Sequence, residues 1–202
     1  MPESLRAFIA IEIPQNVLDY LRRIQDAVRA GRFSSVTWVR PEGIHLTLKF
    51  LGNISQGQVP QVVAAMETSA RGQTPFRLEV HGLGAFPSMD RARVLWVGVQ
   101  GNAQAVASIQ AKLEATLAAL GFPREDRPFS PHLTLGRVRP ASGGPPAERK
   151  RLGSVVAAAP LEKGIVFDVA SLSLMQSTLT STGAIYTRLA EVSLAGEKEG
   201  QS

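Results

Sequence analysis

The chain has 202 residues, 44% hydrophobic and only 6% aromatic, with a net charge of +5 and no cysteine. That is enough apolar material for one large domain or two small lobes sharing a core, and no apolar run approaches the roughly 18 residues that cross a bilayer as a helix. Without cysteine there is no disulfide framework and no thiolate nucleophile or metal ligand.

Leu5 to Glu12 reads as an apolar strand. Glu12 and Pro14 cut it short of a secretory leader's long apolar stretch, so a cytoplasmic protein is expected. Pro14 opens a helix to about Ala30, with Val17, Leu18, Leu21, Ile24 and Val28 at helical spacing. Val36 to Val39 is a short extended piece. Ile44 to Leu51 alternates as a strand and is expected to stop at Gly52-Asn53. Ser55 to Arg71 reads as a helix and Phe76 to Leu83 as a strand, followed by a turn-rich stretch from Gly84 to Ser88. Arg93 to Val99 is the next strand, and Gly101-Asn102 leads into a helix to Leu120. His132 to Val138 is a strand, followed by a Pro/Gly loop from Arg139 to Pro146. Glu148 to Ala157 reads as a helix carrying the basic cluster Arg149-Lys150-Arg151. Ile165 to Met175 and Ala184 to Leu194 read as a closing pair of strands around Ser181-Thr182-Gly183. The polar tail 196–202 is expected to be disordered, leaving 1–195 as one bilobed domain. Helices alternate with strand pairs, which favours α+β with antiparallel sheets over a doubly wound parallel sheet.

The tetrapeptide His-Leu-Thr-Leu occurs twice, at His45–Leu48 and at His132–Leu135, 87 positions apart. At the same offset Arg6 falls on Arg93, and Ala7–Ala10 falls on Val94–Val97. Strand, helix and motif strand thus recur in register, which predicts two interleaved half-repeats with pseudo-twofold symmetry. On a strand, His and Thr of each copy share a face. Two such strands aim two imidazoles and two hydroxyls at one point. That set suits an anionic centre that gains a proton on one side and loses one on the other. The positive charge favours an anionic partner such as nucleic acid. Few aromatics argue against an extended base-stacking platform.

These motifs, together with Arg6–Ala10, Gly43–Gly52, Gly82–Pro87 and Arg127–Arg137, resemble the two-histidine phosphoesterase superfamily. Within it the chain is most similar to the bacterial and archaeal RNA 2′,3′-cyclic phosphodiesterases, historically called 2′-5′ RNA ligases. The resemblance spans roughly Leu5 to Leu194. It implies two antiparallel sheets facing a central cleft, helices outside, and one HxTx strand from each sheet. It implies hydrolysis of RNA 2′,3′-cyclic phosphate ends to 2′-phosphomonoesters, with 2′-5′ ligation as the reverse reaction. His45 would be the proton donor and His132 the acceptor, an assignment that two identical motifs leave open. Thr47 and Thr134 would hold the nonbridging phosphate oxygens. Lys49 continues the His45 face by alternation and is a further candidate for phosphate, with a solvated strand-end lysine as its alternative. Arg137 matches a basic position of the family, but strict alternation puts it on the opposite face, so a phosphate role requires a bulge or a strand end. Phe129 is a candidate for base stacking, with core packing as its alternative.

His81 completes the histidines and raises a three-histidine metal site, yet no carboxylate is spaced to assist it. No metal and no other cofactor is expected, and no Walker-type loop points to ATP. The expected partner is RNA with cyclic-phosphate ends, the expected state a monomer, and the membrane is excluded as a partner. Two rival readings remain. One is a phosphodiesterase for a small cyclic nucleotide or an ADP-ribose cyclic phosphate. The other is a non-catalytic module that grips RNA ends. Arg149, Lys150 and Arg151 either extend RNA affinity or form a solvated helix face.

Overall fold

Strand β1 (Ser4–Glu12) buries Leu5, Ala7, Ile9 and Ile11 on one face, as period-two alternation requires. The computed structural model describes residues 4–139, 146–159, 164–181 and 183–196. Helix α1 (Gln15–Arg29) follows Pro14, whose fixed φ suits a helix entry, and it buries the expected stripe of Val17, Leu18, Leu21, Ile24 and Val28. Strand β2 (Val36–Trp38) and a 3₁₀ turn at Pro41–Gly43 lead into β3 (His45–Ser55). A capping box between Ser55 and Gln58 starts the next helical segment, which becomes α2 (Val59–Ala70). Then come β4 (Phe76–Phe86), β5 (Val94–Gly101) and α3 (Ala103–Ala119), whose N-cap Asn102 accepts the Ala105 N–H. Strand β6 (His132–Val138), α4 (Pro146–Ala158), β7 (Val166–Val169), β8 (Ser171–Thr180) and β9 (Gly183–Ser193) complete the order.

The strands form an antiparallel sheet in the order β7-β4-β5-β6-β3-β1-β8-β9, with β2 beside β6. The order is symmetric about the β6–β3 contact, where each motif strand lies next to the first strand of its own half. The two expected sheets are the two wings of this one sheet, joined through Leu46 opposite Leu133. Strand β4 follows α2 but pairs with β5, and β8 follows α4 but pairs with β1. The first half therefore lends β4 to the other wing, and the second half lends β8 and β9. The α+β class with antiparallel strands is as expected.

The helix read from Ser55 begins at Val59 after a 3₁₀ turn, and three strand boundaries differ from the sequence reading. Strand β3 passes through Gly52-Asn53 because Gly52 takes φ +72° and the register shifts between Ala7 and Phe8. A glycine of positive φ bends a strand without ending it. Strand β4 likewise continues to Phe86, with Gly82 at φ +68° and a register shift between His81 and Leu83. The stretch Ile165–Met175 is not one strand. It divides at Ala170, β7 pairing with β4 in one wing and β8 with β1 in the other. Most of the predicted loop after Arg139 (140–145) and of the tail (197–202) lies outside the described residues.

Gly84 sits directly under the Trp96 indole, where an added Cβ would overlap the ring. Gly84→Ala is expected to cost about 1–3 kcal/mol through overpacking, read as a lowered urea midpoint with an unchanged m-value. A neutral effect would mean that the Trp96 ring is not fixed on this glycine.

Candidate active site

The Leu46–Leu133 pairing decides the geometry. In an antiparallel register it sets His45 across from Thr134 and Thr47 across from His132. Leu46 and Leu133 are fully buried at 0% exposure. The four polar side chains occupy the other face and are partly open. The histidines are diagonal neighbours in this square, a separation of about 7–8 Å between residues. One phosphate group between them can reach both rings and both hydroxyls.

After each motif the alternation breaks. Ile9 and Ala10 pair with Lys49 and Thr47, skipping Leu48, while Leu95 and Trp96 pair with Gly136 and Thr134, skipping Leu135. These twin bulges reverse the facing of the residues beyond them. Lys49 consequently leaves the histidine face, contrary to the expectation from alternation. It is 3% exposed, its ammonium 2.9 Å from Glu114 of α3 and 2.6 Å from the Pro123 carbonyl oxygen. It is a buried ion-pair partner and does not face phosphate. The second bulge turns Arg137 toward His45, whose ionisation it influences. The condition set by the sequence for Arg137 is thereby met. The Leu135 carbonyl at this bulge accepts from the Val39 N–H and from the buried Gln25 side chain of α1, at 2.9 and 2.8 Å. Phe50 holds the matching place after the first bulge and is 57% exposed. Phe129 packs against the core, the alternative to base stacking.

The two imidazoles are oriented alike. His132 Nδ1 lies 2.7 Å from the Ser130 carbonyl, and the His45 ring bonds the backbone of Gly43. With one ring nitrogen engaged by the backbone two residues upstream, the other is free for the cleft. Their surroundings differ. His45 stacks on Phe8 at 4.4 Å between centroids and meets Tyr186 edge-on at 5.0 Å. Burial pushes its pKa down from 6.5 to about 4; the Gly43 hydrogen bond opposes this and the Arg137 charge adds to it. His45 is therefore neutral at pH 7 without ligand. His132 meets Phe86 edge-on at 5.0 Å. Glu12, the cross-strand partner of His45, is engaged elsewhere, accepting from the Ser173 hydroxyl and pairing with Arg188 at 3.3 Å.

The sequence reading missed Phe8, Phe86 and Tyr186. Phe8 was recoverable, since it shares the outward parity of Arg6 and Ala10 on β1. Tyr186 depends on β9 reaching β8 beside β1, which no local pattern reveals. His81 lies on β4, separated from His132 by β5. Among the described residues no three His, Asp or Glu side chains are grouped to hold a metal ion. In the basic cluster, Arg151 covers the Phe33 ring at 5.1 Å and donates to the Arg32 carbonyl. The Arg149 and Lys150 side chains lie outside the described residues.

Imidazole NMR should show His45 titrating near pH 4, and Arg137→Ala should raise that midpoint, because a neighbouring positive charge disfavours imidazolium. An unmoved midpoint would separate Arg137 from His45. Lys49→Met should cost about 3–5 kcal/mol by leaving the Glu114 carboxylate in the interior without its cation, although Gln110 and the Glu125 N–H still donate to it, with much of the loss recovered by adding Glu114→Leu. Denaturant melts of the single and double variants decide this; a single variant as stable as wild type would contradict a buried pair.

The family model of the LigT-like phosphoesterases matches the chain twice in tandem, at residues 11–96 and 97–186. An RNA 2′,3′-cyclic phosphodiesterase of Methanothermobacter thermautotrophicus is 33% identical over 91% of this chain and 96% of its own length. One of Aeropyrum pernix is 37% identical over 87% of this chain and 95% of its own. A solved Thermus thermophilus structure superposes with a TM-score of 0.74 at 29% identity, covering 96% of this chain and 100% of that one. Two tandem matches, each holding one His-Leu-Thr-Leu strand, place this chain in the LigT-like phosphoesterase family.

Proposed function

We propose that this chain hydrolyses RNA 2′,3′-cyclic phosphate ends to 2′-phosphomonoesters by paired-histidine acid–base catalysis. The carrying observation is the square of His45, Thr134, Thr47 and His132 created by the Leu46–Leu133 register. The names of the relatives, RNA 2′,3′-cyclic phosphodiesterases across nearly the whole chain, support the same reaction.

In this reading Thr47 and Thr134 donate to the nonbridging oxygens and Arg137 balances their charge. His132 takes a proton from water as its oxygen bonds phosphorus. His45 gives a proton to the departing 3′-oxygen as the P–O3′ bond breaks. Each histidine ends in the other's starting state, and solvent exchange resets both. Each transfer supplies on the order of 10²–10⁴ in rate. The free His45 is neutral, so it must gain its proton with substrate. A bound phosphate favours this twice over: its negative charge stabilises imidazolium, and it neutralises Arg137. The same displacement with a 5′-hydroxyl in place of water, again breaking P–O3′, joins two ends by a 2′-5′ linkage without ATP. No helix among the described residues is long and apolar enough to cross a membrane, and cytoplasmic RNA processing is the setting this reading implies.

A short RNA with a 2′,3′-cyclic phosphate, incubated in EDTA, tests the proposal by mapping the product phosphate. A 2′-phosphomonoester formed at full rate is expected. Activity lost to chelation and restored by zinc would instead bring His81 into a metal site. His45→Ala and His132→Ala should each reduce turnover at least about 10²-fold, and the double variant should lose far less than the product of the two. Near-normal turnover in either single variant would exclude the mechanism. The pH profile of kcat/KM should be bell-shaped, with its acidic limb near pH 4, the value of free His45. The limb in kcat should lie higher, since bound phosphate holds the proton on His45.

A further inference from the structure

The cleft has twofold geometry but unlike ends. At the His45 end the residue after the bulge is Arg137; at the His132 end it is the exposed Phe50. The His45 end also opens into a cavity of about 470 Å³, lined by Trp38, Arg40, Glu42, Arg137, Ile185 and Tyr186 among others. That volume falls in the range of small-ligand sites and accommodates one nucleotide. Three residues tie it to the catalytic ring. Gly43 lines it and bonds the His45 ring; Tyr186 lines it and meets that ring edge-on; Arg137 lines it and depresses that ring's pKa. Gly43 is also the floor beneath Tyr186, since an added Cβ would come within 2.9 Å of the phenol ring.

The walls are aromatic and the rim carries an acceptor. Arg29 stacks over Trp38 at 5.2 Å and steadies that side chain. Glu42 lines the rim and pairs there with Arg22 at 3.1 Å, both side chains open to solvent. A cyclic-phosphate end has a nucleoside on one side of phosphorus and attacking water on the other. The cavity fits the nucleoside, and the His132 end is left for water. A carboxylate beside a nucleobase accepts hydrogen bonds only. Guanine offers an N–H and an adjacent amino group, matching two carboxylate oxygens. Uracil offers one N–H flanked by carbonyl oxygens that repel a carboxylate.

We infer that this cavity is the subsite of the terminal nucleoside, and that Glu42, held by Arg22, makes the enzyme prefer guanosine over uridine cyclic ends. The inference rests on the hydrolase reading above. It also explains why His45, at the nucleoside end, faces the leaving oxygen while His132 faces water.

The test compares guanosine and uridine 2′,3′-cyclic phosphates as substrates, separating kcat from KM. Wild type should favour guanosine by about tenfold, the scale of a good bidentate base contact, mostly through KM. Glu42→Ala should collapse that ratio toward unity by weakening guanosine and admitting uridine, and Arg22→Ala should shift it the same way by a smaller amount. The position of the acidic limb should not move with Glu42→Ala, since Glu42 acts on the base and not on His45. Efficient cleavage without base preference, or a Glu42→Ala variant that changes both substrates equally, overturns the inference and leaves the hydrolase reading standing. No cleavage of any cyclic end overturns both.

Discussion

The pairing of Leu46 with Leu133 is the contact on which the site depends. It is one antiparallel register between two strands whose leucines are wholly buried. A slip of one residue would turn those leucines into the cleft and drive both histidines into the core, so the hydrophobic pattern fixes the register strongly. The placement of the two histidines and two threonines and the packing of the core are therefore set by the same constraint. The histidines need no dedicated scaffold, because the residue between each His and its Thr already anchors the strand.

The duplication supplies symmetry and the differences between the halves supply direction. Both motifs end in a bulge at the second leucine. Behind the first, Lys49 is drawn into the interior to Glu114 of α3. Behind the second, Gln25 of α1 holds the Leu135 carbonyl. The helices thus secure the bulges crosswise, α1 on the second motif and α3 on the first. On the cleft side the matched positions carry Phe50 and Arg137, so one end is apolar and the other cationic. Phe8 and Tyr186 enclose His45, whose burial, together with the Arg137 charge, holds its pKa down. Identical tetrapeptides thereby acquire unlike environments.

Much of this was legible in the sequence. The doubled motif singled out both histidines and both threonines as candidates and pointed to a pseudo-twofold duplication, and the alternation of helices with strand pairs pointed to the antiparallel α+β class. Strand β6 and the apolar stripe of α1 were read closely because alternation and helical spacing are local signals. The errors share a cause. Period-two counting carries Lys49 onto the histidine face, and only pairing with β1 reveals the skipped residue that removes it. The same counting opposes Arg137, and the equivalent skip against β5 reverses the answer. Gly52 and the turn-rich stretch from Gly84 look like strand ends because glycine marks turns, yet β3 runs on through Gly52 at positive φ and β4 runs on through Gly84 to Phe86. Tyr186 lies far from His45 in sequence and reaches it only through sheet order.

The most direct test of a shared phosphate between the two motifs is imidazole ¹⁵N NMR of the protein with a nucleoside 2′-phosphomonoester bound. Both His45 and His132 should show one ring nitrogen perturbed by the same phosphate at a single stoichiometric site, with His45 moving toward the protonated form. Perturbation of only one histidine at saturation, or of the two at different ligand concentrations, would contradict a common site built on the Leu46–Leu133 register.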